Sequence, residues 1–230
     1  MTIRAFWAGA SALALLMAAP ARADHLRDEV AAAMPALIEL YRDLHANPEL
    51  SFQEFETAAK LAARARALGF EVTEGVGKTG VVAVMKNGDG PVVMLRADMD
   101  GLPVVEQTWL PFASTRRAVP ASGVETGVMH ACGHDVHTSS LLGAARILYS
   151  LKDQFEGTIK LIFQPGEEKL PGGASKMIRE GVLETPKVEQ ILGQHVMPLI
   201  PAGKVGFRSG LYMASADEIY LTVKGKGGHG

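Results

Sequence analysis

An α/β fold with a mixed, largely buried sheet is the class this sequence predicts, and three observations predict it. Short apolar runs of strand length alternate with stretches of helical period, the pattern of strands covered by helices. The chain has 230 residues, 47% of them hydrophobic, enough to bury a full core and to form one domain plus part of another. The residues with chemistry to offer, Asp98, Glu167-Glu168 and His195, each follow an expected strand, and open α/β sheets bind ligands at that edge.

Residues 1–23 have the layout of a cleaved secretory leader, with Arg4, an apolar run over 5–19 and the small-x-small ending Ala21-Arg22-Ala23. The run is short for a membrane span, so no stable anchor is expected after cleavage, and the mature chain is expected to begin at Asp24 in the periplasm or outside the cell. Cleavage removes Arg4 and Arg22 and takes the formal charge from −2 to −4. Lys and Arg are scattered, which leaves no basic face for nucleic acid.

A helix is expected over 26–44, where Leu26, Val30, Met34, Leu37, Tyr41 and Leu44 recur every three or four residues as one stripe, and Asn47-Pro48 ends it. Ser51 and Glu54 read as a capping box opening a second, alanine-rich helix that stops at Gly69. Segments 80–85 and 92–95, joined by Asn87-Gly88-Asp89-Gly90, read as a hairpin. A loop with Pro103, Pro111 and Pro120 follows. Then come a helix over 138–151, a strand over 158–163, a helix over 174–180 and a strand over 189–193. Residues 217–224 alternate as a further strand, and the glycine-rich run 225–230 reads as a turn, since it lacks both the Lys-Ser ending of a P-loop and a following helix.

The densest chemistry is Met129-His130-Ala131-Cys132-Gly133-His134-Asp135-Val136-His137-Thr138, which holds the single cysteine and three histidines. In an extended segment Cys132 and His134 point the same way, and thiolate with imidazole binds divalent transition metals well. A lone cysteine is more often a small buried hydrophobe; here an oxidising compartment offers it no disulfide partner, so metal ligation explains it better. Adjacent carboxylates cannot both reach one atom, so Glu167 and Glu168 suit different roles, one on metal and one handling protons. For His137, support of a neighbour is expected ahead of ligation, and His130 is a weaker candidate.

Together with Leu44-His45-Ala46-Asn47-Pro48-Glu49-Leu50-Ser51, Leu95-Arg96-Ala97-Asp98-Met99-Asp100-Gly101-Leu102-Pro103, Phe163-Gln164-Pro165-Gly166-Glu167-Glu168, Gly172-Gly173-Ala174 and His195-Val196-Met197-Pro198, the chain resembles the amidohydrolase branch of the M20 metallopeptidase family. The likeness spans the mature chain and runs into 223–230. It implies a zinc-peptidase-like three-layer sandwich that hydrolyses N-acyl amino acids with two divalent ions (Zn, Mn, Co or Ni). Cys132, His134, Glu168 and His195 would be ligands, Glu167 general base and acid, Asp98 a supporting acid, and His229 a contact to substrate or developing oxyanion.

The resemblance further implies a catalytic domain over 24–213, and over 214–230 the start of a small dimerising lid domain within a chain nearly twice this length. The remainder would supply one more histidine ligand and a homodimer interface. Two other readings are a noncatalytic metal-binding or partner-assembled chain, and a dipeptidase or carboxypeptidase of the same family. The resemblance of Cys132-Gly133-His134 is to the amidohydrolase branch, because those peptidases usually place an aspartate in this region.

Overall fold

In the computed structural model the described residues are 8–213, 217 and 219–229, with side chains described from His25 onward. Residues 1–7 of the leader expected over 1–23, and residue 214 of the 213–214 domain boundary, lie outside them. Over the rest of the leader what is described is backbone: helix α1 (Ala8–Ala46) runs through Pro20 and the expected cleavage point without a break. Among the described residues no helix is long and apolar enough to cross a membrane.

The chain divides into two compact units, Met1–Val196 and Met197–Gly230. The first is built on a five-stranded mixed sheet in the order β1-β2-β6-β3-β7, from β1 (Glu71–Val76), β2 (Gly80–Asn87), β3 (Val92–Asp98), β6 (Gly157–Gln164) and β7 (Gln190–Gly193). A two-residue pair, β4 (Arg117–Ala118) with β5 (Thr126–Gly127), ties the long loop. Helices α1, α2 (Phe55–Ala67) and α3 (His134–Ser150) cover one face, and α4 (Gly173–Arg179) covers the other.

Both faces are buried by strand alternation. Val81, Ala83, Met85, Ile159, Leu161 and Phe163 point into the larger core with Leu40, Leu44, Leu61 and Leu141. Val82, Met94 and Ile162 point the other way, against Met177 and Val182. Lys160 lies on that second side, buried, with its ammonium donating to the carbonyls of Val182 and Thr185 in the α4–β7 connection.

Several local expectations are corrected. Segments β2 and β3 do not form a hairpin: β6 lies between them, antiparallel to β2 and parallel to β3. The Asn87–Gly90 turn still reverses the chain, with Gly88 at φ 81 and Gly90 at φ 147, but turn chemistry does not choose a strand's partner. The all-buried β6 gains most at the centre, where both edges of its backbone are paired. Ser51 and Glu54 do not cap α2; Ser51 donates to Asp100, and buried Glu54 accepts from Thr79 and from the Gly166 amide. The stripe of α1 is also shifted, with Ala33, Leu40 and Leu44 buried while Leu26, Val30 and Met34 are exposed.

In the second unit the described residues carry no helix or strand, so the strand expected over 217–224 is absent from Asp217 and 219–224. Alternation supplies a face, but a ladder needs a partner.

Candidate metal centre

Three parallel strands, β3, β6 and β7, end on one edge of the sheet. Asp98 closes β3, Glu167 and Glu168 follow β6, and His195 follows β7. Helix α3 starts at His134, four residues earlier than its sequence pattern suggests, so His134 and His137 occupy its first turn. Gly133 makes this junction at φ 84, where an added Cβ would sit 2.4 Å from Val196 Cγ2. Cys132 and His134 therefore converge through a left-handed corner and a helix start, not through the extended alternation expected.

His134 is fully buried and is common to three groupings whose donor atoms lie within 4.8 Å of one another: Cys132 with His195, Glu167 with Glu168, and Asp98 with His137. Its Nε2 is 3.7 Å from Glu168 Oε1, 4.0 Å from Glu167 Oε2 and 3.6 Å from Asp98 Oδ2. Cys132 Sγ is 3.5 Å from His195 Nε2. The four expected ligands thus meet around His134, although Glu168 shares a grouping with His134 and not with the Cys132–His195 pair.

Tautomers separate donors from supports. His195 donates from Nδ1 to its neighbour Val196's carbonyl at 2.7 Å, which leaves the Nε2 lone pair facing Cys132. His137 has no such freedom: Nε2 accepts the Val196 amide at 2.9 Å, and Nδ1 donates to Asp98 Oδ1 at 2.6 Å. Both ring nitrogens are spent, so His137 positions Asp98 and the His195 segment. Buried His130 has neither ring nitrogen hydrogen bonded, and burial lowers it to about 4, against the opposing pull of the Asp135 carboxylate.

Burial works against charge on Asp98, but the His137 hydrogen bond and the cations of Arg96 and His134 outweigh it and hold the carboxyl at about 2. Glu167 moves the other way, raised by burial and by the charges of Glu168 and Asp98. Without an ion the Cys132 thiol is pushed up to about 12, by burial and then by Glu168, so an entering cation displaces a proton. Burial opposes charge on His134, yet Asp100, Asp98 and Glu168 raise it.

Asp100 is the organiser that sequence reasoning passed over. Its carboxylate accepts the amides of Glu167 and Glu168 at 3.0 Å each and the Ser51 hydroxyl at 2.6 Å, and Oδ1 lies 3.3 Å from His134 Nδ1. Its two-residue spacing from Asp98 at a strand end was the available signal. His229 lies in the second unit, exposed and outside regular structure.

A divalent ion suits this constellation on the structure's own terms. His134 Nε2 and Glu168 Oε1 are buried without hydrogen-bond partners, and carboxylate oxygens of Asp98, Glu167 and Glu168 crowd within 4.0 Å of that nitrogen, an arrangement that a cation would satisfy. A sulfur, nitrogen and carboxylate donor set fits a first-row transition ion.

The model of peptidase family M20/M25/M40 matches residues 94–225, more than half of the chain. An N-acetylcysteine deacetylase of Bacillus subtilis (strain 168) is 45% identical over 195 residues, 84% of this chain and 48% of that protein. A hippurate hydrolase of Campylobacter jejuni is 44% identical over 193 residues, 84% of this chain and 47% of that protein. Among solved structures, the Bacillus subtilis YXEP protein, described as a dinuclear metal-binding peptidase from the M20 family, aligns with TM-score 0.66 and 44% identity over 75% of this chain and 45% of its own. The chain spans about half the length of the curated relatives it matches.

Proposed function

The chain belongs to peptidase family M20/M25/M40, and on that premise we propose that it is the metal-binding part of an exported amidohydrolase that cleaves the amide of N-acyl amino acids. The observation that carries this reading is the cluster of donors around buried His134, with His134 Nε2 and Glu168 Oε1 buried and unpartnered and the raised carboxyl of Glu167 beside them. The substrate class is supported by the similar deacetylase and hippurate hydrolase. Export rests on the leader pattern in residues 1–23.

Cys132, His134, Glu168 and His195 would hold two divalent ions, of Zn, Mn, Co or Ni. When bound, such ions polarise an amide carbonyl and lower the pKa of water. Glu167 takes the attacking water's proton and returns a proton to the departing nitrogen as the C–N bond breaks, yielding carboxylate and amine. Asp98 and His137 fix one another, and Asp100 holds the backbone of both glutamates, so the base keeps its place. In the whole protein His229 would contact substrate, within a homodimer.

The test is Glu167→Gln beside the unchanged chain, with Zn²⁺ content and turnover of N-acetylcysteine and N-benzoylglycine measured together. Retained metal with turnover reduced about 10²- to 10⁴-fold is expected. Unchanged turnover removes Glu167 from the chemistry, and lost metal makes it a ligand.

A further inference from the structure

Glu54 is an acid that the chemistry above does not use, and it is buried with 0% exposure. Glutamates are almost never fully buried unless paired. Burial raises the Glu54 carboxyl pKa, and what most offsets it is hydrogen bonding from Thr79 and from backbone amides, Gly166 among them, and not a cation. Glu54 precedes helix α2 but does not cap it; Glu49 accepts the first amides there, of Glu56 at 3.1 Å and Thr57 at 2.7 Å. An apolar side chain would fill the same space without burying a charge, so packing alone gives no reason for an acid at this position.

What Glu54 holds is the turn that carries Glu167. Its Oε1 accepts the Gly166 amide at 2.7 Å, and its Oε2 accepts the Thr79 hydroxyl at 2.5 Å, where the chain enters β2. The Gly166 carbonyl accepts the Gly173 amide at 3.0 Å. Gly166 lies at φ 51, and a Cβ added there would sit 2.4 Å from Phe52 Cζ, so the ring closes over its α-carbon. Asp100 accepts the next two amides, of Glu167 and Glu168. Three successive amides after β6 therefore end on two buried carboxylates, each delivered from a distant part of the chain.

The base needs such a clamp because its own side chain is poorly placed to hold itself. Glu167 is 39% exposed at the side chain, and the charges of Glu168 and Asp98 act against its own. Like charges at this range push the turn outward unless the backbone resists. We propose that Glu54 is a positioning residue for Glu167: its carboxylate fixes the Gly166 amide and, jointly with Asp100, holds the base in place against Glu168 and Asp98. The role rests on the reading of Glu167 as the base. A misplacement of about 1 Å in a reacting group can cost about 100-fold in rate.

The experiment compares Glu54→Ala, Glu54→Gln and Thr79→Val with the unchanged 230-residue chain. The kcat and KM for N-benzoylglycine with Zn²⁺ are measured beside amide hydrogen exchange of the metal-free protein. Glu54→Ala should lower kcat about 10- to 100-fold at nearly constant KM. It should also speed exchange at Gly166 and Glu167 about tenfold or more, with a much smaller rise at Leu161 in the middle of β6. Glu54→Gln, whose amide oxygen can still accept from Gly166, should restore both readouts. Thr79→Val frees one carboxylate oxygen and should move both in the same direction by less. Unchanged kcat in folded Glu54→Ala, no rescue by glutamine, or exchange that rises as much at Leu161 as at Gly166 would each overturn the role. Should Glu54→Ala not fold, unchanged kcat and Gly166 exchange in Thr79→Val overturn it. A chain without turnover counts against the hydrolase reading alone, and Gly166 exchange then still tests the clamp; turnover that ignores Glu54 counts against the clamp alone.

Discussion

Replacing His45 by leucine should cost about 3–5 kcal/mol, the penalty for removing one partner from a buried ion pair. The imidazole is 6% exposed and sits between two carboxylates, with Nδ1 2.7 Å from Asp135 Oδ2 and Nε2 2.9 Å from Glu106 Oε1. Neither carboxylate has appreciable exposure, so the variant leaves two acids in a space that water does not reach. Against a typical domain stability of about 5–15 kcal/mol this is a large fraction. Burial opposes charge on His45, but the hydrogen bonds to Glu106 and Asp135 outweigh it and raise its pKa above the ordinary 6.5. Its contribution is therefore complete below about 6.5 and is lost as pH rises through the higher folded value. Glu106 is opposed by burial but lowered from 4.5 by Thr108, His45 and the Ser114 amide, so its share is present above about 4.5 and is lost as pH falls through its lower folded value. Urea denaturation of the metal-free chain and His45→Leu should show the widest gap at about pH 5–6.5, narrowing toward pH 9. A loss under about 1 kcal/mol, or a gap that widens with pH, would refute the charged bridge.

Three further outcomes are expected. His137→Ala should weaken Zn²⁺ binding about 10- to 100-fold, as loss of a supporting hydrogen bond does, and Cys132→Ser should weaken it more; equal losses in a chelator competition titration would contradict the division into support and ligand. Gly133→Ala forces a side chain into φ 84 and against Val196, so it should cost about 1–2 kcal/mol in denaturation and weaken Zn²⁺ binding too, and unchanged binding would show that this corner does not place Cys132 and His134. Lys160→Met should lose about 3 kcal/mol, because the carbonyls of Val182 and Thr185 lose a buried donor; a loss under about 1 kcal/mol would mean that water replaces the ammonium.

Much of the fold was legible because it depends on local periodicity. Strands β2, β3, β6 and β7 and helices α2, α3 and α4 all fall close to the segments that apolar spacing marks. Strand β1 left little trace, since Glu71–Val76 is a polar edge strand with no buried residue. The β2–β3 pairing was misread for the opposite reason: a good turn lay between them, while the true partner of both, β6, is more than sixty residues further along the chain. Ser51 and Glu54 illustrate the same limit, because their spacing matches a cap whereas Asp100, Thr79 and Gly166 claim them from a distance.

By itself the sequence determined the kinds of atoms available and the strand ends that carry them: Asp98, Glu167-Glu168 and His195 at three carboxyl ends, with Cys132 and His134 in one short motif. The tertiary structure alone decided which atoms remain free to bind. Strand order brings the three ends together, the Gly133 corner turns Cys132 toward His195, and Val196 and Asp98 occupy both nitrogens of His137 while leaving His195 Nε2 open. Residue type and spacing encode chemistry one position at a time. A lone pair's availability depends on every group within about 3 Å, and those groups come from elements that meet only in the folded chain.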